Sequence, residues 1–301
     1  MTVPPSSLRS QPPEGAANVL GRPGAGPQVF VITGASDGIG AELARQIAAR
    51  DKAGAALVLA ARSEDKLANV AAECAALGAQ TLVQRCDVAV EADCKTLVAA
   101  TVARFGRIDV LVNNAGMSAH ALFEDVTDLG WYRRLMDINL WGAVWCTQAA
   151  LPHLKASRGR IVGVSSLAGL NGVPGRTAYS ASKFAMNGFF EALRTEVSAH
   201  GISVTLAYPG VVDTQIRLRG FNAAGQPAGK SGLDESDAMP VAECARLILD
   251  GIDHRRRDVV MTAKGKLGRW LKLIAPGVVD RIVMAALTRE AQAEAAHPKT
   301  S

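Results

Sequence analysis

"VFVITGASDGIG", Val29 to Gly40, sets a run of branched and aromatic residues directly against a turn rich in small ones. The apolar run suits a strand buried on both faces. Gly34, Gly38 and Gly40 let the backbone turn tightly and approach a ligand, and apolar residues at spacings of three and four carry residues 39 to 50 on as a helix. The N-terminus of that helix offers unpaired N–H groups and a partial positive charge to a pyrophosphate. A glycine-rich turn that only turns is the competing reading of this stretch alone.

Downstream the same alternation continues. "ALVLAA" (56 to 61), "TLVQRC" (81 to 86), "IDVLVNN" (108 to 114), "RIVGVSS" (160 to 166), "ISVTLAYPG" (202 to 210) and "DVVMTA" (258 to 263) are further short apolar runs. Helical spacing covers 64 to 77, 91 to 105, 129 to 155, 177 to 199 and 241 to 252. Strands alternating with helices predict right-handed crossovers and an α/β fold: a doubly wound, Rossmann-type parallel sheet of about seven strands in one domain, with a C-terminal helical extension. The turns rich in Gly and Ser fall at the C-terminal strand ends, where open parallel sheets bind ligands.

Composition narrows the function. The chain has 301 residues, 49% hydrophobic and 20% charged, enough for a sizeable core. The net charge of +5 is spread along the chain and aromatics are 5%, so no nucleic-acid face is expected. Five cysteines without a CxxC pair read as buried thiols of a cytoplasmic protein. None of His120, His153, His200, His254 and His297 has a metal-ligand spacing, and no metal is expected. Residues 1–28, rich in Pro, Gly and Ser, read as a flexible tail, 29–263 as the sheet domain and 264–301 as a basic amphipathic extension.

"AYSASKFAM", Ala178 to Met186, places Tyr179 and Lys183 four residues apart, on one helix face. An ammonium beside a phenol favours the phenolate, which suits a tyrosine that exchanges a proton near neutral pH. Ser180, Ala181 and Ser182 are small enough for a cofactor to lie against this helix. Ser166 closes the fifth strand, thirteen residues before Tyr179, at the ligand edge; Ser165 is its rival by one register step.

At the end of the second strand stands "AARS", Ala60 to Ser63. An acid there would bind the ribose 2′-OH of NAD; Arg62 instead suits the 2′-phosphate of NADP. A solvated loop arginine is the alternative.

Glycines spaced as TGxxxGxG, then Ser166, Tyr-x-x-x-Lys and the Asn139 of "DINLWG", resemble the short-chain dehydrogenase/reductase family over roughly residues 29 to 214. The resemblance implies an oxidoreductase moving a hydride between NADP(H), favoured over NAD, and a carbonyl or secondary alcohol. Tyr179 would be the general acid or base, Ser166 the group that hydrogen-bonds the substrate oxygen, and Lys183 the ribose contact. Asn139 would support a water linking Lys183 to solvent; a helix cap or bridge is the competing reading of this residue alone. The resemblance assigns to the cofactor Gly34, Ser36, Asp37, Gly38, Ile39 and Gly40 of the loop, and Arg62. It adds Asp87 and Val88 of "CDV", where Asp87 contacts adenine unless it is a helix N-cap. Asn114, Ala115 and Gly116 of "NNAG" follow, then Tyr179, Lys183, and Pro209, Gly210, Val212 and Thr214 of "YPGVVDT". Members that use NADP often carry a base just before the middle glycine, where this chain has Asp37. A cofactor-sensing module without turnover is the alternative function.

Residues 215 to 238, polar and rich in Gly, read as a lid over the substrate or as a surface loop. Beyond the last strand, Leu267, Trp270, Leu271 and Ile274 share a helical stripe flanked by Lys264, Lys266, Arg269 and Lys272, with Pro276 and Gly277 breaking the helix. That stripe suits an anionic membrane surface, a cover for the substrate pocket, or a neighbouring subunit. It resembles the tails of lipid- and steroid-acting family members, which implies an apolar small-molecule substrate. The family also implies a homodimer or homotetramer, through the helix that carries Trp141 and Trp145 and the Tyr179 helix. Location in the cytoplasm, peripheral at a membrane, completes the expectation.

Overall fold

Seven runs of apolar residues pair as seven strands in the computed structural model, which describes residues 26–229 and 238–285. They are β1 (Gln28–Thr33), β2 (Ala55–Ala61), β3 (Gln80–Arg85), β4 (Val110–Asn113), β5 (Arg160–Val164), β6 (Ser203–Tyr208) and β7 (Asp258–Val260). The order is β3-β2-β1-β4-β5-β6-β7 and every pairing is parallel. Val31 of β1 lies between Val58 of β2 and Leu111 of β4. These central strands are buried almost throughout, because helices cover both faces. β3, at the edge, is only half-buried and carries Gln and Arg at its ends.

The helices α1 (Gly38–Asp51), α2 (Glu64–Ala76), α3 (Glu91–Phe105), α4 (Gly130–Met136), α5 (Gly142–Ser157), α6 (Thr177–Val197) and α7 (Val241–Asp253) return the chain between strands. Two cores result. Leu43 and Ile47 of α1, Leu67 of α2 and Ile248 of α7 pack with Phe30, Ile32 and Leu57 on one face. On the other, Leu97 of α3, Cys146 of α5 and Phe190 of α6 pack with Val31, Val58 and Leu111. The strand order reverses between β1 and β4, which opens a crevice at their C-terminal ends.

The helix expected over 129 to 155 is interrupted. Asp137–Trp141 form a π turn between α4 and α5, and Asn139 sits at its centre, fully buried. Single π turns in α-helices often mark functional sites. Its cause is tertiary, for the Asn139 side chain bonds to backbone 22 residues away.

Past β7, α8 (Ala263–Ile274) is capped by Thr262, whose Oγ1 accepts from Gly265 N at 3.0 Å. It ends at Ile274, with Ala275 as its cap before Pro276, and helical backbone resumes over 276–285. All five cysteines are buried and unpaired; burial pushes the Cys74 thiol up to about 11 and the Cys244 thiol to about 12, as inert core residues require. The flexible tail expected before residue 26 lies outside the described residues.

Candidate active site

Residue Thr33 ends β1 by lacing it to β4: its Oγ1 accepts from Asn114 N and Ala115 N, each at 3.0 Å, and donates to Val112 O. Asn114 answers with its Nδ2, which donates to Thr33 O at 2.9 Å and Gly34 O at 3.2 Å. The glycine loop is therefore held from the side. Gly34 and Gly38 have φ of +66° and +53°, where a side chain is strained. A Cβ on Gly40 would collide with Gly34 O and lie 2.5 Å from Asn114 Nδ2, so this glycine serves close packing beneath the loop. The result is a cradle of backbone at the α1 N-terminus that fits a pyrophosphate.

A cleft of about 440 Å³ runs from this loop to the start of α6. Of the sequence-predicted residues, Gly34, Ser36, Asp37, Gly38 and Ile39 line its floor. Arg62 stands exposed at its mouth, on the turn after β2. Asp87 and Val88 line it too, and Asp87 is not a helix cap: Val90 holds that place in α3, while Asp87 Oδ1 accepts from Ala89 N at 3.1 Å. Asn114, Ala115, Gly116, Pro209, Gly210, Val212 and Thr214 complete the cofactor-side set. Gly40 and Asn139 stand behind the lining rather than in it.

At the far end, α6 presents Tyr179 (8% exposed) and Lys183 (4%) to the same cleft. Lys183 Nζ lies 5.8 Å from the Tyr179 ring centroid and donates to Val164 O at 2.9 Å. Burial pushes the Lys183 ammonium below the usual lysine range, and Tyr179 opposes that shift. Ser166 is extended at the end of β5, lines the cleft, and its Oγ accepts from Ala168 N at 3.2 Å. Ser165 is buried beside Gly169, its Oγ without a partner among the described residues. Asn139 Nδ2 donates to Met117 O and to Ser182 Oγ, and its Oδ1 accepts from Met117 N. A Cβ on Gly116 would lie 3.3 Å from Asn139 Oδ1 and 3.6 Å from Lys183 Nζ, which puts both side chains behind the same short backbone.

Ser180, Ala181 and Ser182 do not line the cleft, contrary to the room expected there. Helix geometry explains it: residues between Tyr179 and Lys183 point to other faces. Ser180 Oγ accepts from Val173 N, and Ser182 Oγ donates to Tyr179 O, so these serines lock α6 in place.

Three arginines joined the cleft without forewarning: Arg176, Arg219 and Arg217, whose Nη1 donates to Val212 O at 2.9 Å. Arg176 stacks over the Tyr179 ring, 4.6 Å from its centroid, and donates to Ala119 O and Ser118 Oγ. Its place three residues before Tyr179 is a helical spacing that sequence could have flagged. Arg219 pairs with Asp37 across 182 residues, for which sequence holds no local signal. The expected lid is described only over 215–229, where Phe221 exchanges backbone hydrogen bonds with Ser118 and His120; residues 230–237 lie outside the described set.

Residues 28–222 match the family model described as short chain dehydrogenase. The chain belongs to the short-chain dehydrogenase family. An Arabidopsis thaliana protein named 11-beta-hydroxysteroid dehydrogenase-like 4A is 40% identical over 250 residues, 83% of this chain and 81% of that protein. The 11-beta-hydroxysteroid dehydrogenase A of Sesamum indicum is 40% identical over 259 residues, covering 84% and 73%. Among solved structures, a short-chain dehydrogenase/reductase from Burkholderia phymatum in complex with NAD aligns with a TM-score of 0.73 at 26% identity, over 84% of this chain and 95% of that one. An alcohol dehydrogenase from Thermococcus sibiricus complexed with 5-hydroxy-NADP aligns at 0.67 and 27%, over 78% and 95%. As a short-chain dehydrogenase, the protein is an oxidoreductase of CH–OH and C=O groups served by a nicotinamide dinucleotide.

Proposed function

We propose that this short-chain dehydrogenase uses NADP(H) to interconvert a carbonyl and a secondary alcohol on an apolar, steroid- or lipid-like substrate. One observation carries the reading: a single continuous cleft joins the glycine loop to Ser166, Tyr179 and Lys183. The NADP preference is supported by Arg62 at the end of β2, where no acid is present to bind a ribose hydroxyl pair. The substrate class is supported by Met117, Leu167, Val173 and Ile216 along the far end of the cleft and by the names of the Arabidopsis and Sesamum relatives.

When bound, the nicotinamide supplies or accepts the hydride. Tyr179 Oη gives a proton to the substrate oxygen on reduction and takes it back on oxidation. Ser166 Oγ hydrogen-bonds that oxygen and stabilises its developing charge. Lys183 places a cation beside the phenol and offers its remaining N–H groups to the cofactor ribose. Asn139 fixes the backbone at Met117 and, through it, the wall behind Lys183; its further part is to support a water leading from Lys183 to solvent. Around the cleft, Pro209, Gly210, Val212 and Thr214 would hold the nicotinamide end of the cofactor.

Two surfaces extend the proposal. Trp141, exposed and 5.9 Å centroid to centroid from Trp145, suits an interface between copies of this chain. α8 exposes Leu267, Trp270, Leu273 and Ile274 together, which suits peripheral contact with a membrane; no helix among the described residues is long and apolar enough to cross one.

The test is oxidation of NADPH and NADH over a panel of aliphatic, aromatic and steroid ketones, with Tyr179→Phe as control. Turnover of NADPH with the bulkier apolar ketones, lost in the variant, is the expected result. Cofactor binding without turnover on any of them overturns it in favour of a sensing module.

A further inference from the structure

Asp37 looks misplaced: a carboxylate stands on a loop whose backbone is shaped for phosphates. Its Oδ1 accepts from Gly38 N at 2.7 Å, capping α1, and its Oδ2 accepts from Arg219 Nη2 at 2.6 Å. Arg219 comes from the segment that follows the turn after β6, and its Nε donates to Gln215 O at 3.3 Å. Nη1 has no partner among the described residues, and the side chain, 51% exposed, lines the cleft. The same segment already touches the loop, since a Cβ on Gly38 would lie 3.2 Å from Thr214 Cγ2.

The position relative to Arg62 matters. Ala35 N donates to Ala60 O at 3.1 Å, so the loop leaves β1 alongside the tip of β2. Asp37 lies two residues beyond that bond on one chain segment and Arg62 two residues beyond it on the other. The end of β2 is where open sheets of this kind meet the ribose 2′ position.

We infer that Arg219 is a second cationic contact for the 2′-phosphate of NADP(H), and that Asp37 is the positioning residue that holds it there. The inference rests on the NADP reading above. An unpaired carboxylate at position 37 would repel a 2′-phosphate; paired, its charge is cancelled and a guanidinium with free donors stands in its place. Arginine suits the task because its planar fork serves a carboxylate with one edge and a phosphate with another. A base absent from the loop in sequence is thus restored in space from a segment 182 residues away.

The experiment measures Kd values of the full chain and of Arg219→Met for four probes: NADPH, NADH, 2′,5′-ADP and 5′-AMP. Thermal melting checks that the half-exposed substitution leaves the fold intact. The expected result is a loss of about tenfold for NADPH and 2′,5′-ADP, with NADH and 5′-AMP within about twofold. Arg219→Lys, which keeps the charge but not the fork, should fall between. Equal losses for NADPH and NADH overturn the inference in favour of a pyrophosphate contact, and no loss for any probe reduces the pair to a surface ion bridge. If the unaltered chain binds NADPH and NADH alike, the NADP reading itself fails, a result visible before any variant is made.

Discussion

The helices α6 and α8 have the same kind of sequence pattern and opposite fates. Both space apolar residues at three and four, yet α6 buries Ala178, Met186, Phe190, Leu193 and Val197 against the sheet, while only Gly265 of α8 is buried. In α8 two of the four cations turn inward instead: Arg269 bonds to Asp258 at 3.0 Å, and Lys272 donates to Leu170 O at 2.8 Å and stacks over Phe184, while Lys264 and Lys266 stay exposed. Leu267, Trp270 and Ile274 of the apolar stripe are left outside, and Leu271 is half-buried. Periodicity therefore tells which residues share a face and not what covers it. A helix whose apolar face meets the sheet can hold a reacting tyrosine in place; a helix whose apolar face meets solvent can only await a partner.

Changes to α6 should accordingly be the severe ones, with chemistry and folding separable along the helix. Tyr179→Phe is expected to lower ketone reduction by about 10³- to 10⁴-fold while NADPH binding and the melting temperature hold, read by steady-state kinetics and calorimetry. Three turns further along, the Phe190 ring presses against β5, so close that a Cβ on Gly163 would sit 2.8 Å from it. Phe190→Ala should open a cavity there and cost about 3–5 kcal/mol in denaturant unfolding. Equal melting of both variants would erase the distinction between the reacting end of α6 and its packing end.

Lys183 tests a subtler point, because the proposed chemistry calls for a charge that its burial disfavours. Lys183→Met should reduce turnover by about 10²-fold and leave the ligand-free protein as stable or more so, since burying an ammonium with a single carbonyl partner is costly. The sign of the pH dependence follows. With its native value lowered, Lys183 sheds its proton in the folded state before it does in the unfolded chain, whose lysine titrates near 10.5. The unfolded state then binds more protons, so this group adds stability as pH rises through that interval. The Met variant should lack this rise in urea unfolding measured at stepped pH; an unchanged slope would show that Lys183 is not its source.

The sheet was legible because its strands are apolar runs ended by turns, and α7, expected over 241 to 252, runs from Val241 to Asp253. Tyr179, Lys183 and Ser166 were legible as local spacings on two adjacent elements, and the structure brings all three to one cleft. What escaped was nonlocal. Asn139 draws a π turn out of a helix that reads as continuous because it clamps the backbone of Met117. Asp37 reads as an argument against NADP until Arg219 is found upon it. The inward turn of Arg269 and Lys272 depends on acceptors at Asp258 and Leu170 that no helical wheel contains.

That inversion of α8 makes the last prediction specific. Trp270 is 66% and Ile274 82% exposed, so Trp270→Ser with Ile274→Ser should change stability by no more than about 0.5 kcal/mol. The same double substitution should abolish co-sedimentation with lipid vesicles if the stripe enters a membrane interface. Salt separates the two ways a basic amphipathic helix binds lipid. Attraction to anionic headgroups is screened over about 8–10 Å near physiological ionic strength, whereas burial of apolar side chains is not. Because Arg269 and Lys272 are already engaged with the body of the protein, which leaves Lys264 and Lys266 as the exposed cations of α8, added salt should weaken binding only in part and anionic vesicles should bind only modestly better than neutral ones. Binding that salt abolishes would mean that the cations turn outward at the membrane. Failure to sediment, joined to a concentration-dependent dimer that the double variant disrupts, would assign the stripe to a second copy of the chain.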